Sequence, residues 1–412
     1  MERIFTVNIP DFADRIITRL EANGFEAFAV GGCVRDSICK KIPKDWDVCT
    51  SAKPEQIKEI FKADFTVIPT GEKHGTITVL SNHHPIEVTT FRYDGSYSDG
   101  RHPQKVQFVS HISEDLARRD FTVNAMAYNS RCGIVDLFGG MEDIKNKIIR
   151  CVGNPKERFE EDALRIMRAL RFSAVCNFDI EKETSLAIHN GKELLRKISA
   201  ERIYAELKKL LLADSPSTLL IDYKDVFDVI LPKTFSENVF SEKNCYLADK
   251  MPKDISMRLG VILGNISADA VMDSLETLKA ERETIRRTCM FIKNSKINAP
   301  VCKTEAKYML KSFGKTDTID ILKYNSVWNS SVNSGEDYFK GALVFIEEIE
   351  KNNECYSLKS LDISGSDLLS LGIKGQKIGI VLNSLLDAVI DNSVKNHKPE
   401  LLKLSKRLLN QL

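Results

Sequence analysis

An α/β head followed by an all-helical remainder is the fold class the sequence predicts, and three observations predict it. Strand-like runs, alternating or continuously apolar and punctuated by Gly, Asn, His or Pro, fill the stretch from Phe25 to Val109. Ile134-Val135-Asp136-Leu137-Phe138-Gly139-Gly140 reads as a closing strand and turn. From Met141 onward helical periodicity dominates, with breaks near Gly153-Asn154-Pro155, Pro216, Leu231-Pro232, Asn298-Ala299-Pro300 and Lys351-Asn352-Asn353.

Phe25 to Val30 alternates toward apolar as a first strand and runs into Gly31-Gly32. Two glycines let the backbone turn tightly and approach a ligand with no Cβ in the way. The helix expected from Cys33 to about Lys40 points free amide donors toward the end of that strand, an arrangement suited to an anion. Asp45 and Asp47 fall in a second short strand, where residues two apart share a face, so their carboxylates can bridge a pair of magnesium ions. Further strands are expected at Phe65–Pro69, Thr76–Ser81, Ile86–Phe91 and Val106–Val109. Glu87 alternates against Ile86 and Val88 and therefore faces away from the core. It is either a solvent-facing strand residue or a third carboxylate beside Asp45 and Asp47, completing a site that deprotonates a hydroxyl nucleophile.

Arg118-Arg119-Asp120-Phe121-Thr122-Val123-Asn124-Ala125-Met126-Ala127 opens on paired arginines and is expected to become helical and apolar. A guanidinium fork suits a phosphate or ribose contact, and Arg119 is the candidate. Glu160 to Arg171 reads as one helix, with Ala163, Ile166, Met167 and Leu170 on one face and Glu161, Asp162, Arg165, Arg168 and Arg171 on the opposite half. Acidic residues early and basic ones late also suit the helix dipole and its i,i+3 and i,i+4 pairs. Three arginines exceed what those pairs need. Asp162 beside Arg165 offers an acceptor next to a donor to a flat ligand edge. Cytosine and adenine present an amino donor next to a ring-nitrogen acceptor, whereas uracil and guanine present the reverse. Such a pair accepts C and A and leaves groups unpaired against U and G. Arg168 and Arg171 remain for phosphates or for orienting Asp162.

Lys+Arg total 59 against 58 Asp+Glu, so global charge carries no signal for a nucleic-acid partner. Locally, Lys145 to Arg171 holds eight basic and four acidic residues, and Lys374 to the end seven basic and three acidic. Such patches either neutralise phosphates or form solvated helix faces. The ten cysteines are scattered singly, and Met1-Glu2-Arg3-Ile4 does not open a secretory leader, a pattern that fits a reducing cytoplasm. No apolar run approaches the roughly 18 residues that span a bilayer, so no membrane partner is expected.

Five segments occur in order: Gly-Gly-x-Val-Arg-Asp with Asp-x-Asp; Thr70-Gly71-x-x-His74-Gly75-Thr76; Arg-Arg-Asp-Phe-Thr-x-Asn-Ala-Met-Ala; Arg158-Phe159-x-Glu161-Asp162-x-x-Arg165-x-x-Arg168; and Ile198-Ser199-Ala200-Glu201-Arg202-Ile203-x-x-Glu206-Leu207. Together they resemble the bacterial class II tRNA nucleotidyltransferases and poly(A) polymerases, strongly over residues 25–210 and more weakly in the tail. The resemblance implies a nucleotidyltransferase palm with a mixed sheet in a head at 1–140. It further implies a helical neck at 141–212, a body at 213–300 and a tRNA-binding tail at 301–412, set around the acceptor arm and elbow of tRNA. It implies that Asp45 and Asp47, with Glu87, bind Mg2+, and that Gly32 and Arg35 hold the triphosphate. Arg119, Asp162, Arg165, Arg168 and Arg171 would contact the incoming nucleotide, with Asp162 and Arg165 selecting CTP and then ATP. The implied reaction is template-independent addition of CCA to the 3′ end of tRNA with release of pyrophosphate. Within the same family, an A-adding enzyme or a poly(A) polymerase stays open, and outside it a non-catalytic RNA-binding protein with a relict palm.

The loop from Thr90 to Pro103, with two Asp-Gly pairs, is either a plain surface loop or the flexible element that resembles that of enzymes finishing with A, with Asp99 and Arg101 as levers. Three features depart from or qualify the family pattern. The body has no adjacent His-Asp pair, which argues against a metal phosphohydrolase activity. Trp46 is bulky for its place between the aspartates. Leu371 to Gly379 either grips phosphate through its amides and Lys377 or joins two helices.

Overall fold

A computed structural model of the chain describes residues 6–94, 106–232, 239–329 and 335–409. The chain packs as two compact units, residues 1–249 with 272–282, and residues 250–271 with 283–412.

The first unit is built on a seven-stranded mixed sheet. Its strands are β1 (Ala27–Val30), β2 (Asp47–Thr50), β3 (Thr66–Gly71), β4 (Thr76–Ser81), β5 (His84–Thr90), β8 (Met126–Asn129) and β9 (Gly133–Asp136), in the order β3-β4-β5-β2-β1-β8-β9. β2 pairs parallel with β5 and antiparallel with β1, placing the short β2 at the centre. The expected Thr90–Pro103 loop differs at its start: Thr90 ends β5, and Arg92–Asp94 form β6, which pairs with β7 (Val106–Phe108) in a short ribbon. Asp99 and Arg101 lie outside the described residues.

One face of the sheet is covered by α1 (Asp11–Ala22) and α3 (Pro54–Phe61). α1 forms because Ala13, Ile16, Ile17 and Leu20 recur at helical spacing, and all four are buried in that core with Val48, Val79 and Val88. Trp46 is absorbed into the same core, 7% exposed, which is how its bulk is accommodated. The other face carries a smaller cluster of Phe28, Val30, Cys49, Phe91, Leu116 and Ala127.

The expected strands are present with boundaries shifted by one or two residues, and Ile134 to Gly140 is β9 plus the turn into α5 (Gly140–Asn146). Four details differ from the sequence expectation. Asp45 precedes β2 rather than lying in it, because the ladder to β5 begins at Asp47. α2 is Gly32–Ile38, starting one residue earlier and ending sooner, since Lys40 takes a left-handed backbone at φ 58°. The Arg118–Ala127 segment is not a helix. It leaves α4 (Ile112–Ala117), makes one 3-10 turn at Thr122–Asn124 and enters β8, because strand pairing with β1 overrides its local helical preference. Finally, β10 (Ile148–Ile149) pairs with β11 (Asp179–Ile180) inside the otherwise helical stretch.

Beyond the sheet, α6 (Pro155–Glu161), α7 (Leu164–Cys176), α8 (Lys182–Gly191) and α9 (Ala200–Leu211) follow, then α10 (Ser217–Asp222) and α11 (Lys224–Ile230). α6 starts where Asn154 accepts the Lys156 N–H at 3.0 Å with Pro155 in the first turn. α9 buries Ile203, Tyr204, Leu207, Leu210 and Leu211 on one side.

Among the described residues the second unit is all-helical. Its first cluster stacks Phe291, Tyr324 and Trp328, with ring centroids 5.0 and 6.0 Å apart. Helices Gly365–Ser370, Gln376–Ile390 and Lys398–Leu409 share a second core of Leu368, Val381, Leu385, Leu386 and Leu401. Gly375, at φ 62°, turns the chain into the Gln376–Ile390 helix. Among the described residues no helix is long and apolar enough to cross a membrane. All ten cysteines are free thiols.

Candidate active site

The fully buried β1 ends at Gly31, whose φ of 80° is open to glycine and strained for other residues. A Cβ there would stand 2.9 Å from Arg119 Nη1. The turn therefore carries α2 directly past a guanidinium, and Arg35, one turn into α2, is buried beneath it. Arg35 donates from Nη1 to Asn124 Oδ1 at 2.5 Å and from Nε and Nη2 to Asp36 Oδ1 at 2.8 and 2.7 Å.

Asp47 heads β2, and its register partner on the parallel β5 is Glu87. Adjacent strands lie about 4.8 Å apart, so the two carboxylates are neighbours. Glu87 is exposed, as its alternation predicts. Packing pushes the Asp47 carboxyl up to about 6, with the negative charge of Glu87 and then Asp45 adding to the rise and Arg119 opposing it. Among the described residues no three or more His, Cys, Asp or Glu side chains converge as a ready metal cage. What is present is the Asp47–Glu87 pair across the ladder, with Asp45 close enough for its charge to be felt at Asp47.

The Arg119 segment is held by two buried carboxylates. Asp115, fully buried, accepts from Arg118 Nη2 at 2.7 Å and from Arg119 Nη2 at 3.2 Å. Burial alone would raise its carboxyl, but the two guanidinium groups hold it below the ordinary range. Asp120 accepts from Arg168 Nε at 2.7 Å, from the Phe121 N–H at 2.9 Å and from Asn124 Nδ2 at 3.3 Å. It too is held low against the effect of burial, chiefly by Arg168. A continuous chain thus runs Arg35–Asn124–Asp120–Arg168.

The segment from Glu160 to Arg171 departs most from the single helix that periodicity suggests. α6 stops at Asp162, which is extended at φ −140°, ψ 102°, and α7 starts at Leu164. Asp162 interrupts the helix because its Oδ1 accepts the Leu164 N–H at 3.1 Å, the side-chain competition with the backbone typical of Asp. Its Oδ2 accepts from Arg202 Nη2 on α9 at 3.1 Å. Arg165 is fixed from three sides, donating to Glu161 at 2.5 Å and to the carbonyls of Arg158 and Arg118 at 3.2 and 3.1 Å. Arg171 pairs with Glu206 of α9 at 2.5 Å. Phe172 gathers three of these cations, with Arg171, Arg35 and Arg168 at 3.9, 5.2 and 5.3 Å from its ring centroid.

These groups line one polar cavity of about 500 Å³. It brings together Gly32, Arg35, Asp47, Arg119, Asp162, Arg165 and Arg168 from the sequence-derived candidates. Arg171 is outside its lining, with its guanidinium over the Phe172 ring, and Asp45 and Glu87, near Asp47, are outside it as well. The same wall includes Asp120, Asn124, Phe172 and Arg202, to which the sequence assigned no role. Asp120, Asn124 and Arg202 lie inside quoted motifs, so a signal for them existed. Nothing marked Phe172.

Two family models match the chain, the "Poly A polymerase head domain" over residues 27–150 and the "Probable RNA and SrmB-binding site of polymerase A" over residues 177–237. The CCA-adding enzyme of Ligilactobacillus salivarius is 33% identical over 418 residues, covering 98% of each chain. That of Enterococcus faecalis is 52% identical over 197 residues, 48% of each chain. Among solved structures, the Bacillus stearothermophilus CCA-adding enzyme in complex with CTP superposes with a TM-score of 0.77 at 27% identity, covering both chains entirely. The Thermotoga maritima CCA-adding enzyme complexed with tRNA has the same fold, with a TM-score of 0.67 at 21% identity over 98% of this chain and 97% of the other.

Proposed function

The chain belongs to the family of CCA-adding enzymes, and from that premise we propose that it adds CCA to the 3′ end of tRNA, using CTP and ATP without a nucleic-acid template. The observation that carries this reading is the cavity in which Asp47 and the Asp162–Arg165 pair share one wall with Arg35 and Arg119. Chemistry and base choice meet there.

The terminal ribose hydroxyl attacks the α-phosphate of the nucleotide, a P–O bond forms, and the bond to pyrophosphate breaks. Gly32 and Arg35 hold the triphosphate, with Arg119 alongside. Arg165 has five N–H donors, three of them spent on protein acceptors, so two remain for the base. Asp162 has about four acceptor sites, of which the Leu164 N–H and Arg202 take one each. Both groups are held rigidly and still have capacity toward the nucleotide, as a protein template for C and A requires. Arg168 is tied to Asp120 and Arg171 to Glu206, and both guanidinium groups lie over the Phe172 ring.

Nucleotidyl transfer in this family depends on a metal ion. The oxygen donors Asp45 and Asp47, with Glu87, fit Mg2+ and would hold it. When bound, it supplies charge stabilisation at the attacking and leaving oxygens and eases ionisation of the hydroxyl. The head at 1–140 carries this chemistry, the neck at 141–212 the base choice, and the body at 213–300 and tail at 301–412 the grip on tRNA. A cytoplasmic location is part of the same proposal.

The test uses tRNA lacking its CCA end, with labelled CTP and ATP offered singly and together. Incorporation of two C and one A is expected, and Asp47→Ala abolishes turnover while tRNA affinity is retained. Absence of CTP incorporation overturns the reading. On tRNA ending in CC with ATP alone, a single A is expected, and a long ladder would instead make the chain a poly(A) polymerase.

A further inference from the structure

Asn124 is 6% exposed, and both ends of its amide engage charged groups that line the nucleotide cavity with it. Its Oδ1 accepts from Arg35 Nη1 on α2 at 2.5 Å, and its Nδ2 donates to Asp120 Oδ1 at 3.3 Å. Asp120 in turn accepts from Arg168 Nε on α7 at 2.7 Å. One orientation of the amide satisfies a guanidinium on one side and a carboxylate on the other. Asp here would set carboxylate against carboxylate, and Ala would leave both neighbours short of a bond.

The segment that carries Asn124 is held firmly. Phe121, Val123 and Ala125 are fully buried. The Thr122 N–H donates to the Arg150 carbonyl at 2.9 Å, the Val152 N–H to the Asp120 carbonyl at 3.1 Å, and Thr122 Oγ1 to Asp143 at 2.6 Å. Phe121 meets Phe172 edge-on, with ring centroids 5.7 Å apart. From this support the segment holds three guanidinium groups of the site. Its Arg118 carbonyl takes Arg165 Nη2 at 3.1 Å, Asp120 takes Arg168, and Asn124 takes Arg35. Arg165, beside Asp162, belongs to the base end of the nucleotide, and Arg35 to the triphosphate end. The other hydrogen bonds of Arg35, to Asp36, stay on its own helix, so its hydrogen-bonded tie to the segment runs through Asn124.

Nucleotidyl transfer needs the α-phosphate in line with the attacking hydroxyl, and a shift of about 1 Å at the reacting atoms costs roughly a hundredfold in rate. A nucleotide docked at both ends has its α-phosphate set only if the two ends keep a fixed spacing. We propose that Asn124 is a positioning residue, which holds the triphosphate-binding Arg35 in register with the base-reading Asp162 and Arg165. A correctly paired base is thereby converted into rate rather than into tighter binding. This rests on the functional reading above, and it adds the residue through which base choice reaches the reacting phosphate.

The experiment follows single-nucleotide incorporation on tRNA lacking its CCA end, with CTP or UTP offered alone. Wild type is compared with Asn124→Ala and Asn124→Asp, each also combined with Asp162→Asn. The aspartate variant keeps an acceptor for Arg35 and loses the donor to Asp120, so it remains readable if the alanine variant fails to fold. For either variant kcat with CTP should fall about tenfold or more, the effect of one lost hydrogen bond to a charged group. The KM for CTP and the kcat/KM for UTP should stay within about threefold of wild type, because an unpaired base gains nothing from the register. In the Asp162→Asn background the same substitutions should change the CTP/UTP ratio by no more than about twofold. Equal losses for CTP and UTP overturn the proposal, since they assign Asn124 to packing alone. So does a rise in KM with kcat unchanged, which makes it a binding group, or a full loss of ratio in the Asp162→Asn background. Failure of wild type to incorporate CTP is seen before any variant is compared, and it sinks the functional reading itself.

Discussion

Replacing Asp162 with Asn tests base selection with the least disturbance of the fold. Asp162 Oδ1 accepts the Leu164 N–H at 3.1 Å, an Asx-type bond just ahead of α7 that the amide oxygen of Asn also makes, so α7 keeps its start. The other oxygen, which accepts from Arg202 at 3.1 Å, becomes an NH2 group. Two consequences follow. Arg202 meets a donor instead of an acceptor, and the nucleotide edge meets a donor where it found a carboxylate. The amino group of C or A then loses a hydrogen bond to a charged group, worth about 1.5–3 kcal/mol. The carbonyl edge of U or G gains a partner. The ratio of kcat/KM for CTP over UTP should fall by about 10- to 150-fold, the factor that free energy implies. The assay is single-nucleotide incorporation on tRNA lacking its end, with each nucleotide offered alone and tRNA affinity measured in parallel. A CTP/UTP ratio within about twofold of wild type, in a folded protein that binds tRNA normally, would refute the base-edge argument, since about twofold is worth well under 1 kcal/mol.

Gly31→Ala should cost about 1–2 kcal/mol of stability from its positive φ and should lower kcat/KM by displacing Arg119, whose Nη1 lies 2.9 Å from the new Cβ; thermal melts and steady-state kinetics read the two effects separately. Phe172→Leu removes an aromatic face shared by Arg35, Arg168 and Arg171, each contact worth roughly 0.5–1 kcal/mol. The KM for CTP should rise more than kcat falls, and the KM for tRNA should not move. In the second unit, Glu354 is drawn down from 4.5 to about 2 by Lys307, Asn352 and Lys303, against the effect of burial. A carboxylate whose folded value is depressed contributes stability above its unfolded value and loses it as pH falls through the folded one. The gap in unfolding midpoint between wild type and Glu354→Gln should be full at neutral pH and close between pH 4.5 and about 2.

Much of the head was legible because its signals are local. Glycine at a turn, alternation along a strand and Pro after Asn act within a few residues, and β1, β4, β5 and the start of α6 lie close to where those signals put them. Two errors came from the same source. The Arg118–Ala127 segment and the run through Asp162 both carry helical periodicity, yet one was taken by a partner strand and the other was cut by its own side chain. Periodicity reports a face to be buried, not which neighbour buries it.

By itself, the sequence determined the class of fold and the kinds of donor and acceptor carried at Gly32, Arg35, Asp45, Asp47, Asp162 and Arg165. Those follow from residue type and short spacing. Only the tertiary structure decided that Arg202 clamps Asp162, that Asp120 ties Arg168 to Asn124 and Arg35, and that Phe172 gathers three guanidinium groups. These partners are separated by tens of residues, and a guanidinium carries no mark of which carboxylate it will meet. Their pairing is settled by burial, where an unpaired charge is too costly to keep and each one must find its counterpart.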